Sequence, residues 1–268
     1  MKHLQLNTST LRNPQKIIQF VLENNIDVTC LSEICYATGS ENPIAKLAQE
    51  NNLNYVEGIH FYYLPDNQTI GTAVISKFPI IDHFCLYFNS NDYYPKKIES
   101  DPLSDTSLIN DITNVHKDTI FPGSRGLKHS VKSRCILCVT IQTPTTLLRV
   151  INTQFTVSDL CTETIQMLEM SKLINSLVTH SKNLPTILSG DLNIRAQSYS
   201  VSKLSEVLTC HTLNLKDSLS STHPAKKKDF PDGLAIDHVF SKNLKHQSTE
   251  TIEINFSDHK AIVSEFTL

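Results

Sequence analysis

The stretch that decides the fold is Leu184–Asn193, which reads LPTILSGDLN. Its apolar first half predicts a buried strand that runs straight into Gly190. Asp191 and Asn193 therefore stand at the C-terminal end of that strand, where an open α/β sheet gathers polar groups over a crevice. A carboxylate there can take a proton from an attacking water, and a carboxamide can orient that water or donate to a phosphate oxygen. An ordinary turn also favours Gly, Asp and Asn, so the motif alone does not decide the function.

The composition is that of an ordinary globular protein. Of the 268 residues 19% are charged and the net charge is −3, which argues against holding nucleic acid by charge alone. No linker divides the chain, so we expect a single domain over residues 1–268. No apolar run approaches the roughly 20 residues that span a bilayer, and the N-terminus lacks the apolar region of a signal peptide. The expected location is the cytoplasm, or outside the cell after export without a classical signal.

Seven cysteines, an odd and scattered number, fit a reducing compartment. Cys135 and Cys138 have the spacing of metal ligands, but they lie inside an apolar, strand-like run that has no second pair. Buried thiols are the favoured interpretation, and a zinc site is the alternative.

Hydrophobic periodicity predicts helices after Asn13-Pro14 and Asn42-Pro43, each pair a cap followed by a first-turn proline, and a longer helix between Asp159 and His180. Helices early and midway among many strands favour two packed sheets flanked by helices. Residues 86–130 lose periodicity and are rich in Asn, Asp, Ser and Lys, which predicts a long surface insertion. The predicted strands are residues 4–6, 26–31, 55–57, 72–76, 80–84, 135–142, 147–153, 186–189, 236–241, 250–254 and 261–266.

Other polar residues stand at the ends of predicted strands or inside them. Asn7 follows the first strand, and Glu33 follows the second. Asp237 interrupts an apolar run, where an unpaired carboxylate would be costly to bury. His259 lies next to Asp258 near the C-terminus. Each has an ordinary explanation by itself, as a turn residue, a surface charge or a solvated pair, so their order along the chain carries the argument.

Seven motifs in order make the chain closely resemble the endonuclease/exonuclease/phosphatase superfamily. Deoxyribonuclease I, apurinic endonucleases, inositol polyphosphate 5-phosphatases and neutral sphingomyelinases share this magnesium-dependent fold. The resemblance implies an α/β fold, α+β in some schemes, in which a four-layer sandwich holds two packed mixed sheets between helices. The motifs are the strand ending in Asn7, Leu31–Glu33, Gly71–Ile80, Val150–Thr153, Gly190–Asn193, Ile236–Phe240 and Ser257–His259.

The resemblance implies a metal centre. Glu33 corresponds to the main Mg²⁺ ligand, with Asn7 beside it and Asp258 as a further ligand. Mn²⁺ is expected to substitute for Mg²⁺. Oxygen donors with few protein contacts suit a magnesium ion that retains several waters.

The resemblance also implies the catalytic roles. Asp191 corresponds to the residue that activates or aligns the attacking water, and Asn193 to the one that steadies the phosphate. His259 corresponds to the imidazole that donates to a non-bridging phosphate oxygen. Asp237 is expected to orient the ring of His259 and to favour its cation.

The sequence departs from the family pattern at Gln154-Phe155, where the family commonly has His followed by Leu. A glutamine donates a hydrogen bond but cannot supply a proton, so we expect Gln154 to bind phosphate without acting as an acid. Two further residues are expected to bind the substrate. Asn152 lies in the preceding motif, and Arg134 stands at the start of a strand next to the expected site.

Three functions remain open on the sequence alone. The leading prediction is a Mg²⁺-dependent phosphodiesterase, a nuclease that hydrolyses nucleic acid by metal-assisted water attack. The runner-up is a phosphoinositide phosphatase or a sphingomyelinase-like phospholipase. The third is a catalytically weakened binding protein of the same fold, because of Gln154. The basic run Lys226–Lys228 would contact a nucleic-acid backbone or simply be solvated. The expected partner is nucleic acid or another phosphodiester, and no obligate protein partner is inferred.

Overall fold

The structure is a computed structural model that describes residues 1–63, 67–88, 134–157, 164–180 and 183–268, without the side chains of residues 61–63, 164–166 and 178–180. The strands are β1 (Lys2–Asn7), β2 (Val28–Ala37), β3 (Asn54–Tyr63), β4 (Gln68–Ser76), β5 (Ile80–Tyr87), β6 (Cys135–Gln142), β7 (Leu147–Gln154), β8 (Thr186–Asp191), β9 (Thr209–Cys210), β10 (Asp237–Lys242), β11 (Lys245–Ile252) and β12 (Ala261–Thr267). The helices are α1 (Pro14–Glu23), α2 (Pro43–Glu50), α3 (Thr164–His180), α4 (Tyr199–Leu204) and α5 (Pro224–Lys228).

The strands form two mixed sheets of six strands each. Sheet A has the order β11-β12-β1-β2-β4-β3, and sheet B has the order β5-β6-β7-β8-β10-β9. Each sheet contains one parallel pair, β1 with β2 and β7 with β8. Parallel neighbours end at the same edge of a sheet. The last residues of β1 and β2 are therefore gathered at one edge of sheet A, and those of β7 and β8 at one edge of sheet B.

Apolar residues fill three layers of the fold. Val28 of β2 and Ile187 of β8 belong to the layer between the two sheets. Ile17 of α1 packs in the cluster that covers the outer face of sheet A. Leu173 of α3 packs in the corresponding cluster on sheet B. Burial of this kind is the main force that holds a sheet and its covering helices together. The predicted sandwich of two mixed sheets with helices on both outer faces is confirmed.

The helix beginnings follow the predicted cap-plus-proline pattern. Asn42 accepts a hydrogen bond from the backbone N–H of Ile44 at 3.0 Å, and the proline that follows is the first residue of α2. At α1 the proline is placed in the same way, but the side chain of Asn13 makes no cap hydrogen bond. The fixed φ of proline therefore contributes to both helix starts, while the side-chain cap is present only at α2.

The cysteine pair of β6 does not form a metal site. Cys135 and Cys138 are both fully buried, but they lie in different apolar clusters, one between the sheets and one under α3. Residues three apart in a strand point to opposite faces, so the two thiols cannot share an ion. Both cysteines are therefore buried thiols, as the favoured interpretation expected, and the alternative of a zinc site is wrong.

Several elements differ from the sequence prediction. The short elements α4, β9 and α5 were not predicted, because segments of two to six residues carry too few positions to show a period. Strand β3 is much longer than the three residues predicted. Most of the predicted insertion over 86–130 lies outside the described residues, and it remains a prediction together with the single domain over 1–268. Within the described part of the chain, no helix is long and apolar enough to cross a membrane.

Candidate active site

A bulge in β2 presents Glu33 at the edge of sheet A. The register between β2 and β4 shifts between Leu31 and Ile34, and Glu33 has a left-handed backbone with φ of 57°. Such a conformation is strained for a residue with a side chain, and strain of this kind is common at functional sites. Thr8 stabilises it, because its hydroxyl donates to the carbonyl of Glu33 at 2.8 Å.

Asn152 supports the same bulge from the opposite sheet. Its side chain is fully buried, and its Nδ2 donates to the carbonyls of Leu31 at 2.8 Å and Ala73 at 2.9 Å. Substrate cannot reach a group so placed, so the expectation that Asn152 binds substrate is wrong. Its hydrogen bonds instead tie sheet B to β2, which carries Glu33, and to the neighbouring strand β4.

The end of β8 brings Asp191 against the ends of β1 and β7. Gly190 permits this close packing, because a Cβ at that position would lie 1.8 Å from the carbonyl oxygen of Thr153. Asn7 Nδ2 donates to Asp191 Oδ2 at 2.9 Å. Gln154 Nε2 donates to the same oxygen at 3.3 Å and to Glu33 Oε1 at 3.0 Å. The four side chains thus form one hydrogen-bonded group across the two sheets.

The placement of Gln154 differs from the one expected. Its side chain is 1% exposed, and its amide nitrogen donates to two carboxylates. This amide therefore positions Glu33 and Asp191 relative to each other. The described hydrogen bonds engage this amide with the two carboxylates, and the expected contact of Gln154 with phosphate remains a prediction.

Asp237 and His259 form a buried pair beside Asp191. His259 Nδ1 lies 2.7 Å from Asp237 Oδ2, and Ser218 Oγ donates to the same oxygen at 2.7 Å. The two side chains are 1% and 4% exposed. Asp237 lies opposite Asp191 in the antiparallel pairing of β10 with β8, which explains why the second carboxylate arrives at this edge.

The charges of this group shift its protonation equilibria. Burial and the charge of Asp237, together with that of Glu33, raise the pKa of Asp191 to about 7. Burial alone would disfavour the imidazolium of His259, but the charge and hydrogen bond of Asp237, with Asp191 and Glu33 beyond, raise the pKa of His259 to about 10. At neutral pH the site therefore holds a histidine cation and a carboxylate close to its titration midpoint.

Asn193 follows Asp191 in a left-handed turn with φ of 52°. Its backbone N–H donates to Asp191 Oδ1 at 3.0 Å, and its Nδ2 donates to the carbonyl of Phe155 at 2.9 Å. The turn thus fixes the orientation of Asp191, and Asn193 stands at the rim next to it.

Arg134 immediately precedes β6 on the Gln154 side of the site. Its charge acts on Glu169, and Glu169 accepts hydrogen bonds from the backbone and hydroxyl of Thr156 at 2.9 and 2.6 Å. Thr156 lies two residues beyond Gln154. Arg134 is therefore near this rim, and its expected contact with phosphate remains a prediction.

The donor set suits a hard divalent cation. Glu33 and Asp191 bring carboxylate oxygens to one edge, and burial together with repulsion from Asp237 and Glu33 raises the pKa of Asp191, a repulsion that a cation would relieve. Asn7 lies beside them, but its Oδ1 accepts from the backbone N–H of Ser9 at 2.9 Å, and its role as a metal ligand remains a prediction. Two further groups bring three ligand atoms within 4.8 Å of one another, namely Asp191 with Asp237 and His259, and His223 with Asp258 and His259. Asp258 is therefore brought next to His223 and His259, and its role as a metal ligand remains a prediction.

Two residues of the site, Ser218 and His223, were not predicted from the sequence. Ser218 holds Asp237, and its Oγ also accepts from the backbone N–H of Asp237 at 3.2 Å. His223 stacks edge to face on His259, with ring centroids 5.2 Å apart. Neither lies at the end of a predicted strand. Lys226, from the basic run, is bound to Asp217 and is not a freely solvated charge.

The sequence profile of the Endonuclease/Exonuclease/phosphatase family matches residues 4–259, nearly the whole chain. The chain belongs to this family. Its members are phosphoester hydrolases that generally depend on a divalent metal, which agrees with the acid and histidine cluster at the strand ends. A comparison with curated protein sequences finds no match.

Solved structures of the family share the fold with this member at low sequence identity. An endonuclease/exonuclease/phosphatase protein from Beutenbergia cavernae superposes with a TM-score of 0.71 at 15% identity, covering 100% of this chain and 71% of the other. D. rerio TDP2 complexed with a single-strand DNA product superposes with a TM-score of 0.64 at 10% identity, covering 100% of this chain and 99% of the other. The mannosyl-6-phosphatase Bt3783 of Bacteroides thetaiotaomicron gives 0.63 at 14% identity, with 100% of both chains covered. The names of the last two proteins indicate different substrates, and at 10–15% identity the likeness supports the fold alone.

Proposed function

We propose that the protein is a Mg²⁺-dependent phosphodiesterase that acts on nucleic acid. The observation that carries the proposal is the arrangement of Asp191 between the Glu33–Gln154 pair and the buried Asp237–His259 pair. A proton acceptor, a cation and oxygen donors for a metal then converge at one edge of the two sheets. Phosphoester hydrolysis by attack of water requires these three elements.

Each residue has a defined task in this proposal. Asp191 accepts the proton of the attacking water, and its pKa of about 7 suits a general base at neutral pH. Asn7, Gln154 and the backbone of Asn193 hold its two oxygens in place. Glu33, with Asn7 beside it, would hold Mg²⁺, which supplies positive charge to the leaving oxygen when it is bound.

His259 provides the second positive charge of the site. Because its Nδ1 bonds to Asp237, its Nε2 is the ring nitrogen left for the substrate. A protonated Nε2 donates a charged hydrogen bond to a non-bridging oxygen, where negative charge develops as water attacks. Removing one donor of this kind from an enzyme costs ~10²–10³-fold in turnover.

A pair of residues at the rim favours nucleic acid as the substrate. The guanidinium of Arg195 lies 5.3 Å from the ring centre of Phe230. Arg195 follows Asn193 by two residues, and Phe230 belongs to the same loop region as His223. An arginine against an aromatic ring is a surface on which a nucleobase can stack. A simple phosphate monoester has no aromatic base that could stack on this surface.

A hydrolysis panel tests the proposal. Wild-type protein in Mg²⁺ is expected to cleave at least one of plasmid DNA, abasic duplex and single-stranded RNA, and to leave phosphoinositides and sphingomyelin intact. Phe230→Ala should raise KM for the cleaved polynucleotide and leave the hydrolysis of bis-p-nitrophenyl phosphate unchanged. Cleavage of a lipid substrate alone would reject the nuclease proposal in favour of a lipid phosphoesterase. Absence of all hydrolysis would reject catalysis.

A further inference from the structure

The segment between β9 and β10 carries a second histidine to the candidate active site. The ring of His223 meets that of His259 edge to face, with 5.2 Å between centroids and 86° between planes. Ligand atoms of His223, Asp258 and His259 all lie within 4.8 Å of one another. His223 is half-buried, whereas His259 is buried beneath it. His223 is therefore the more exposed of two imidazoles that are in contact.

Backbone hydrogen bonds fix this segment against the strand that carries His259. Ser220 N–H donates to the carbonyl of Asp258 at 2.8 Å, and Lys260 N–H donates to the carbonyl of Ser218 at 2.8 Å. Leu219 forms the bridge opposite His259. The position of His223 relative to His259 is thus set by main-chain pairing.

Asp217 reinforces the segment with its side chain. Its Oδ2 accepts from Lys226 Nζ and from Lys260 Nζ, the latter at 2.9 Å. Its Oδ1 accepts from the backbone N–H groups of Leu219 at 3.0 Å and Leu234 at 3.1 Å. The carboxylate joins the start and the end of the segment to the residue after His259. A loop held at so many points presents its side chains in a defined orientation.

The hydrogen bond made by His223 determines its tautomer. The backbone N–H of Ala225 donates to His223 Nδ1 at 3.1 Å. A backbone amide can only donate, so Nδ1 must be the unprotonated nitrogen and the neutral ring carries its proton on Nε2. In the part of the chain that the structure describes, no acceptor is hydrogen-bonded to Nε2. His223 therefore offers a neutral N–H donor beside His259.

We propose that His223 is a substrate-binding residue that donates its Nε2–H to a non-bridging oxygen of the substrate phosphate, alongside His259. This inference rests on the proposed phosphodiesterase function and names a further residue of its site. It also accounts for Gln154, whose amide is engaged by Glu33 and Asp191. The imidazole absent from the end of β7 is replaced by one from the opposite side of the crevice. His223 binds without transferring a proton.

The test separates the imidazole from its capping role. His223→Ser retains an oxygen that caps α5 but loses the Nε2–H donor, whereas His223→Ala loses both. The control is His83→Ser, a histidine-to-serine change at an exposed position of β5. Thermal melting of each variant reports the structural effect.

Inorganic phosphate is the first probe, titrated in the presence of Mg²⁺ by calorimetry. Loss of one neutral hydrogen bond should weaken phosphate binding by roughly 3–10-fold in His223→Ser and leave His83→Ser like wild type. In ¹⁵N-histidine spectra of the wild type, phosphate should shift the Nε2 signal of His223. This measurement uses the wild type and so does not depend on the folding of any variant. Unchanged phosphate affinity in His223→Ser, or an unmoved Nε2 signal, would overturn the assignment.

Hydrolysis supplies the second readout. His223→Ser should lower kcat/KM on an aryl diester and an alkyl diester by the same factor, because a contact to a non-bridging oxygen does not depend on the leaving group. A loss confined to the alkyl ester would make His223 a leaving-group acid and contradict the assignment. A wild type that binds phosphate through His223 but hydrolyses neither ester would refute the phosphodiesterase function and retain the binding site.

Discussion

Asp237→Asn is the change that examines the candidate site most closely. The aspartate is 1% exposed and accepts from Ser218 and from His259, both at 2.7 Å. Asparagine keeps the shape and both hydrogen-bond positions but removes the charge. Loss of that charge leaves the effect of burial less opposed, so the pKa of His259 should fall from about 10 towards its ordinary value of 6.5.

The expected magnitude follows from these pKa values. At pH 8 a group of pKa 10 is almost entirely protonated, whereas one of pKa about 6.5 is protonated in only ~3% of molecules. At pH 6 the latter is protonated in ~75%. The change in His259 protonation alone therefore contributes roughly a 25-fold growth in the ratio of wild-type to mutant kcat/KM between pH 6 and pH 8. If the ring of His259 also loses its orientation, kcat/KM of the mutant falls by a further factor that is the same at both pH values.

The assay is kcat/KM on bis-p-nitrophenyl phosphate in saturating Mg²⁺ at both pH values. Asp232→Asn, an exposed aspartate in the same segment, is the matched control and should behave as wild type. Nitrogen NMR of the metal-free proteins reports the protonation of His259 directly. A ratio that stays constant from pH 6 to pH 8, with His259 still protonated in the mutant at pH 8, would refute the reasoning.

Three further predictions concern other residues. Glu33→Gln should keep the fold but lose Mg²⁺ affinity, by roughly tenfold or more in calorimetry, together with turnover; normal turnover in saturating Mg²⁺ would remove Glu33 from the site. Gln154→His should lower turnover on an alkyl diester and an aryl diester alike, because the buried amide of Gln154 positions Glu33 and Asp191; a gain confined to the alkyl diester would show that Gln154 occupies the place of a missing acid. Burial lowers the pKa of His3 to about 3, so its contribution to stability is present above pH 6.5 and is lost as pH falls towards 3. Urea unfolding at pH 5 should therefore show a loss of about 2 kcal/mol from this group, which His3→Gln should abolish.

The sequence predicted those parts of the fold that depend on local pattern. The strand that ends at Asp191 and the helix that begins at Pro43 are encoded by residues within about ten positions of each other, and both were found as expected. The same holds for the order of polar residues at strand ends, which indicated the family. Local sequence is sufficient for these features because periodicity and capping act over one or two turns.

Contacts between distant segments could not be predicted in this way. Asn152 stands at a strand position that resembles a site residue, yet its partners are the carbonyls of Leu31 and Ala73 across the sandwich. Gln154 likewise has partners 121 and 37 residues away. The placement of His223 depends on the pairing of its segment with residues 258–260. Such contacts arise only when two sheets and a loop come together in space.

The central claim is that Asp191 and a divalent metal act together in hydrolysis. The most direct measurement is the release of p-nitrophenol from bis-p-nitrophenyl phosphate by wild type and Asp191→Asn, with Mg²⁺, with EDTA, and with Mg²⁺ restored. We expect hydrolysis by the wild type in Mg²⁺, its loss in EDTA and its recovery on restoration, and a rate for Asp191→Asn that is lower by ~10²–10⁴-fold whenever Mg²⁺ is present. Wild-type hydrolysis that persists in EDTA, or an Asp191→Asn rate equal to that of the wild type, would contradict the account.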